Sequence, residues 1–329
     1  MTATHALRTA LAALPHGFTT RFAPAPTGYL HLGHVANAVW VWGIARAFGG
    51  RVLLRVEDHD RGRCRPEYEA QLLDDLDWLG LAPDGAGTDA FRTGALAQRQ
   101  GDNVARYEAR LNELASEGLA YACTCSRADI TRVTSADITR VAGADTAGSS
   151  GDGDPAGAVE PRYPGTCRAR GLPPDATAAR RAIMREGTVE RFHDLRLGPQ
   201  TQDPDLQCGD VLVRDRAGNW TYQFAVAVDD LEQRVDLVIR GEDLLASTGR
   251  QLRLARMLGR TTPPRFLHHP LLRNADGRKL SKSAHDTGIR DLRAAGRTRA
   301  EVLGLAAHLS GVAVAPAPLE PGHLAGLFT

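Results

Sequence analysis

Several large protein classes leave marks that this chain lacks. No apolar run in its 329 residues approaches the roughly 20 that cross a bilayer, so no membrane helix is expected. The first residues, MTATHALRTALAALPHG, hold a short apolar run broken by Pro15 and no basic segment ahead of it, so no secretion signal is expected. Five cysteines are too few to staple a chain of this length. Cys64 and Cys208 stand alone while Cys123, Cys125 and Cys167 cluster, a pattern that fits a reducing, cytoplasmic setting. An excess of either charge is missing as well: 40 Lys and Arg face 39 Asp and Glu, so any nucleic-acid contact would need local basic patches. Between about 126 and 160 there is no aromatic residue, and ADITRV at 128–133 returns at 136–141 before a run of Gly, Ser, Asp and Ala. Such a segment buries too little apolar area to offset its chain entropy, and a disordered, expanded surface loop is expected there.

What remains is ordinary globular material, 43% hydrophobic and 24% charged, long enough for two domains or one domain with a large insertion. FTTRFAP at 18–24 reads as a strand ending in a Pro-rich turn, after which Leu32, Val35, Val39 and Trp42 recur at helical spacing. RVLLRVE at 51–57 has the unbroken apolar centre of a parallel strand covered on both faces. Pro66 opens a helix with Tyr68, Leu72, Leu76 and Leu79 on one stripe and Gly80 just past its end, and Val104, Tyr107, Leu111 and Leu114 mark another that stops near Gly118. DVLVRDRAGNWTYQFAVAVDD at 210–230 reads as a strand pair turning at Asp215 to Gly218. VDLVIR at 235–240 and FLHHPLL at 266–272 are further strands, with a helix capped by Ser247 or Thr248 running to Gly259 between them. Strands alternating with helices predict an α/β fold, a Rossmann-like doubly wound parallel sheet.

Two segments carry chemistry. RFAPAPTGYLHLGH at 21–34 places Gly28, His31, Gly33 and His34 where strand passes into helix, a place that favours phosphates through helix N–H groups and dipole. The two imidazoles, three residues apart, could donate to a pentavalent phosphate, or they could be surface or capping residues. KLSKS at 279–283 follows the turn NADGR and reads as an exposed loop whose Lys279 and Lys282 could stabilise charge growing on a pyrophosphate leaving group; a solvated basic loop is the plainer alternative.

RFAPAPTG, HLGH and KLSKS resemble the HIGH and KMSKS signatures of class I aminoacyl-tRNA synthetases in the glutamyl and glutaminyl branch. RVED at 55–58 with Asp60 and Arg63 is similar to that branch's RIEDTD segment, and TYQFAVAVDD with VIRGEDLLASTGRQ to its amino-acid pocket and following helix. The likeness runs from about 18 to 290, apart from the 126–160 loop. With Thr329 following soon after KLSKS, the chain resembles most the truncated glutamyl-queuosine tRNA(Asp) synthetases, which lack an anticodon-binding domain.

That resemblance implies catalytic roles for His31, His34, Lys279 and Lys282, and an ATP site made by these four with Pro24, Gly28 and Gly33. It implies a glutamate pocket at Arg21, Phe22, Ala23, Pro24, Ala25, Glu57, Tyr222 and Arg240. The guanidinium of Arg240 suits the side-chain carboxylate and a buried Glu57 suits the α-ammonium; ordinary strand-end ion pairs are the alternative, but both lie where strands of an open α/β sheet should end, the usual binding crevice. It also implies one structural Zn²⁺ held by Cys123, Cys125, Tyr163 and Cys167, through C-T-C and Y-P-G-T-C; idle cysteines are the alternative. The expected organisation is a first catalytic half at 1–117, an inserted zinc-bearing subdomain at 118–205, a second catalytic half at 206–290 and a short helical tail at 291–329. The expected partners are L-glutamate, ATP with Mg²⁺ and queuosine-bearing tRNA(Asp), used by a monomer.

The implied reaction forms glutamyl-adenylate and passes glutamate to the queuosine base at the wobble position. His34 also matches the glutaminyl form of the signature. Three other functions stay open: a glutamyl-tRNA synthetase charging a tRNA 3′ end, a small-molecule nucleotidyltransferase, and a non-catalytic RNA-binding paralogue.

Overall fold

The computed structural model describes residues 5–138, 162–173, 178–272 and 288–329. Helix α1 (His5–Ala12) leads into strand β1 (Thr19–Phe22), and α2 (Leu32–Ala47) returns the chain to β2 (Arg51–Leu54), paired in parallel with β1, Thr19 opposite Arg51. α3 (Pro66–Leu79) starts with proline in its first turn, where the missing N–H is no loss, and ends at Gly80 in the left-handed conformation. α4 (Thr88–Thr93) and α5 (Val104–Ser116) follow. α2 is apolar nearly all round, so it must be covered on every side.

Next come β3 (Ala120–Cys123), α6 (Arg127–Ile138), β4 (Ala179–Ala182), β5 (Glu190–Asp194), β6 (Gly198–Gln202), α7 (Pro204–Cys208) and β7 (Val211–Arg214). α8 (Tyr222–Glu232), β8 (Leu237–Gly241), α9 (Thr248–Met257) and β9 (Arg265–His269) complete the strands, and α10 (Ile289–Ala294) and α11 (Arg299–Leu309) close the chain with a 3₁₀ turn at Pro321–Leu327. α11 and that turn lie on α2. The contact is close: a side chain at Gly43 would come within 2.3 Å of the Phe328 ring.

The sheets are mixed rather than uniformly parallel. β6-β5-β9-β8 form one ladder, parallel except for β6. β1 and β2 extend it, because the Asp236 N–H donates to the Thr19 carbonyl (2.8 Å) and the Thr19 N–H to the Asp236 carboxylate (2.8 Å). β3-β4-β7 form a separate antiparallel sheet. The chain therefore crosses between the two: β3 and β4 lie in the small sheet, β5 and β6 in the large one, β7 in the small one, β8 and β9 in the large one.

Three sequence expectations change. The strand pair at 210–230 is half right. β7 turns at Asp215 to Asn219, but only Arg214 and Trp220 bridge before α8 begins. Phe224, Ala225 and Val228 then pack at helical spacing against Tyr107, Leu111 and Trp220, and this outweighs the alternating V-A-V pattern. The loop expected to be disordered from 126 starts as α6. Ser126 and Asp129 cap it reciprocally: the Asp129 N–H donates to Ser126 Oγ (3.1 Å) and the Ser126 N–H to the Asp129 carboxylate (2.9 Å). Residues 139–160 of that loop lie outside the described residues. Finally, neither Ser247 nor Thr248 caps α9 with its side chain, because a 3₁₀ turn at Glu242–Ser247 runs straight into the helix.

Candidate active site

The turn after β1 delivers His31 to the N-cap of α2 and His34 to its third position. His31 Nδ1 accepts the Gly33 N–H (3.0 Å) and His34 Nδ1 accepts the His31 N–H (3.2 Å), so two unsatisfied helix donors are met by imidazoles. The rings stand 4.1 Å apart. A neutral imidazole that accepts at Nδ1 carries its proton on Nε2. Capping thus places the proton of both rings on Nε2, which is the capping reading of this motif. Gly33 belongs to the same geometry, since a Cβ there would lie 2.8 Å from the His31 ring. Gly28 lies in the bend before it.

β1 and β2 keep their parallel pairing beyond the strands: the Arg55 N–H donates to the Phe22 carbonyl (2.9 Å) and the Glu57 N–H to the Pro24 carbonyl (3.0 Å). This sets Glu57 beside the turn. Arg21 and Arg55, both buried, share one carboxylate, Asp230 on α8: Arg21 Nε lies 3.1 Å from Oδ1, and Arg55 Nη2 bonds the same oxygen. Burial alone would raise the Asp230 carboxyl, yet Arg21 and Arg55 hold it down at about 2. Glu57 lies 3.7 Å from Arg55 Nη1, and burial pushes its carboxyl up to about 7 against the pull of Arg55 and Arg21. Tyr222 opens α8 in the same electrostatic neighbourhood. Burial and Glu57 raise its hydroxyl while Arg240 and Arg21 oppose them. Arg240 is buried on β8; burial lowers its guanidinium and the neighbouring Tyr222 opposes this. Arg21, Glu57, Tyr222 and Arg240 therefore converge. Phe22 contributes backbone only, its ring lying in the core 5.3 Å from Trp42, and Ala23, Pro24 and Ala25 line the turn.

Such an arrangement can hold a zwitterion, with guanidinium for a carboxylate and carboxylate for an ammonium, next to donors suited to a phosphate. Lys279 and Lys282 fall outside the described residues.

The cysteines meet as the sequence grouping suggested. Sulfurs of Cys123, Cys125 and Cys167 lie within 4.8 Å of one another, the last two 3.5 Å apart. The Tyr163 hydroxyl sits among them, 3.3 Å from Cys123 Sγ and 3.6 Å from Cys125 Sγ. A tetrahedral ion with Zn–S bonds of about 2.3 Å has S···S edges of about 3.8 Å, so three thiolates and one oxygen at these separations fit the ion. Tyr163 is placed by backbone: its N–H donates to the Cys208 carbonyl (2.9 Å), and at Gly209 (φ +65°) a Cβ would lie 1.9 Å from the Tyr163 oxygen.

Sequence reasoning missed Arg55, Asp230 and the supports of Arg240. The signal for the first two was present: Arg55 interrupts an apolar strand, and Asp229 and Asp230 interrupt an apolar helix face. Asp229 in turn accepts from Tyr107 Oη (2.8 Å) and Gln100 Nε2 (2.8 Å), whose own Oε1 meets His59 Nδ1 (2.6 Å).

Residues 18–313 match the family of class I tRNA synthetases (E and Q), catalytic domain. The chain is similar to the glutamyl-Q tRNA(Asp) synthetase of Rhodobacter capsulatus, 37% identical over 298 residues that cover 86% of this chain and 97% of that protein. It is 39% identical to that of Symbiobacterium thermophilum over 316 residues, covering 94% and 91%. Among solved structures it resembles the glutamate-tRNA synthetase of Elizabethkingia anophelis (TM-score 0.65, 25% identity), covering 86% of this chain and 54% of that one. It shares its fold with a glutamate tRNA ligase of Elizabethkingia meningosepticum in complex with its amino acid (TM-score 0.69, 23% identity), covering 89% and 60%. The chain thus spans less than two thirds of those two synthetases.

Proposed function

Because the chain belongs to the class I tRNA synthetases of the glutamyl and glutaminyl branch, we propose that it activates glutamate with ATP and transfers it to the queuosine base at the wobble position of tRNA(Asp). The observation that carries the activation step is the convergence of Arg21, Glu57, Tyr222 and Arg240 beside a helix start whose two histidines are fixed as donors. The acceptor rests on the relatives named for it, whose length this chain nearly matches.

In the first step the glutamate α-carboxylate attacks the α-phosphorus of ATP, the bond to the β-phosphate oxygen breaks, and pyrophosphate leaves with its Mg²⁺. His31 and His34 donate from Nε2 to the phosphate, Pro24, Gly28 and Gly33 leave room for the nucleotide, and Lys279 and Lys282 meet the leaving group. Arg240 and Tyr222 take the side-chain carboxylate and Glu57 the α-ammonium. No side-chain nucleophile is needed, since positioning and charge stabilisation carry the barrier reduction. In the second step a hydroxyl of the queuosine cyclopentenediol attacks the activated carbonyl and AMP leaves.

The cysteine cluster is read as a structural Zn²⁺ site of Cys123, Cys125, Tyr163 and Cys167, the ion fixing the fold where two chain segments meet. The working division keeps catalytic halves at 1–117 and 206–290, an inserted zinc-bearing subdomain at 118–205 and a helical tail at 291–329. β5 and β6 then serve the main sheet and β7 the smaller one. The enzyme is read as working in the cytoplasm, where its tRNA and ATP are, and as a monomer. No helix among the described residues is long and apolar enough to cross a membrane.

The test supplies labelled glutamate and ATP with tRNA(Asp) that carries or lacks queuosine. Label on the queuosine tRNA alone supports the proposal. Label on both, abolished by prior periodate oxidation of the tRNA lacking queuosine, makes the protein a 3′-end synthetase. Absence of glutamate-dependent pyrophosphate exchange refutes activation itself.

A further inference from the structure

Arg240 on β8 stands opposite His268 on β9 in parallel register, so the two side chains share a face of the sheet. Both are buried, as is Asp194 at the end of β5. Arg240 Nε donates to His268 Nε2 (3.0 Å), and His268 Nδ1 lies 2.7 Å from Asp194 Oδ2. The chemistry admits one proton arrangement. An arginine nitrogen has only N–H to offer, so His268 Nε2 must present its lone pair, the ring proton must sit on Nδ1, and Asp194 must accept it. Asp194 is fixed in that role. Its Oδ1 accepts the Arg196 N–H (3.0 Å) and the Leu197 N–H (2.8 Å), and its Oδ2 also accepts the His268 N–H (3.0 Å).

The rest of the guanidinium is counted as easily. Nη1 donates to Gln251 Oε1 (2.6 Å) and Nη2 to Thr248 Oγ1 (2.8 Å), while that hydroxyl lies 3.3 Å from His268 Nε2. Of five N–H groups three make these hydrogen bonds, which leaves one on each Nη.

We infer that Asp194 and His268 are positioning residues that, through a fixed imidazole tautomer, lock Arg240 with two N–H groups presented to the side-chain carboxylate of the substrate. Arg240 has here the role proposed above. The lock also bears on selectivity. A carboxylate accepts both N–H groups, whereas a carboxamide turns its own NH₂ toward one of them, so glutamine is disfavoured by a donor facing a donor.

Asp194→Asn offers an amide N–H to His268 Nδ1, moves the ring proton to Nε2 and sets it against Arg240 Nε. The expected result is a rise in the glutamate KM on the order of 10- to 100-fold, with the ATP KM within about threefold and a reduced preference for glutamate over glutamine in pyrophosphate exchange. A second pair serves if Asp194→Asn does not fold: His268→Leu should raise the glutamate KM similarly, and His268→Gln, whose carbonyl accepts without any tautomer, should recover most of it. ¹⁵N-histidine NMR of the wild type should show His268 protonated on Nδ1. Protonation on Nε2 overturns the inference. So do variants that leave the glutamate KM within about twofold, or that raise both KM values and lower kcat together as a merely structural defect would. If the wild type shows no glutamate-dependent exchange, the functional reading fails instead, and the NMR result alone decides the tautomer lock.

Discussion

With its carboxyl pushed up to about 7, Glu57 is partly protonated near neutrality in the ligand-free protein. An arriving α-ammonium favours the ionised form, so binding releases a proton. The sign follows: kcat/KM for glutamate should rise with pH through about 7 and then level, with Arg55, Arg21, Asp230 and Asp229 as the charged neighbours that set the midpoint. Glu57→Gln should lower the plateau and remove that limb, and a profile of pyrophosphate exchange from pH 5.5 to 8.5 checks it. Gly33→Ala tests the histidine pair. Its Cβ would lie 2.8 Å from the His31 ring, so the ring must move and its cap weakens. A stability loss of about 1 kcal/mol is expected by thermal melting, together with a raised ATP KM. The histidines were legible because cap and dipole operate within a few residues. The position of Asp230 was marked by its apolar surroundings but its partners were not, because they lie 175 and 209 positions away and only the fold brings them together.

Among the elements, α2, α3 and α5 were readable from their spacing, and α3 also from Pro66 and Gly80, because local rules and burial agree there. α8 was misread since a run such as QFAVAV satisfies a strand pattern as well as a helical one, and the choice falls to contacts with Tyr107 and Trp220. α6 had a readable start in its Ser126–Asp129 cap, overridden by the composition that follows. The link from α7 to β7 makes its own prediction. Gly209 combines φ +65° with a backbone oxygen 1.9 Å from where a Cβ would stand, so Gly209→Ala should displace Tyr163 from the cysteines. The expected destabilisation is about 3 kcal/mol or more, with bound zinc per chain reduced by elemental analysis. Unchanged zinc content would remove Tyr163 from the ligand set.

At the scale of the whole molecule the two sheets share their connections, so they should not melt apart. Stripping the proposed zinc with a chelator is expected to lower the melting temperature while leaving one cooperative transition, followed by circular dichroism and by intrinsic fluorescence from Trp40, Trp42 and Trp78 in the large unit and Trp220 in the smaller. Two resolved transitions would mean that the sheets are energetically separate. The α/β class could be read from alternating segments, but the exchange of strands between sheets could not, because pairing over long separations leaves no local pattern. That exchange also limits how the protein can be re-engineered. The cysteine-bearing part is woven in rather than plugged in: a cut on either side of it would take β5 and β6 from the large sheet or strand β7 without neighbours. Swapping it between relatives as a cassette should therefore give insoluble chimeras unless all three strands travel together.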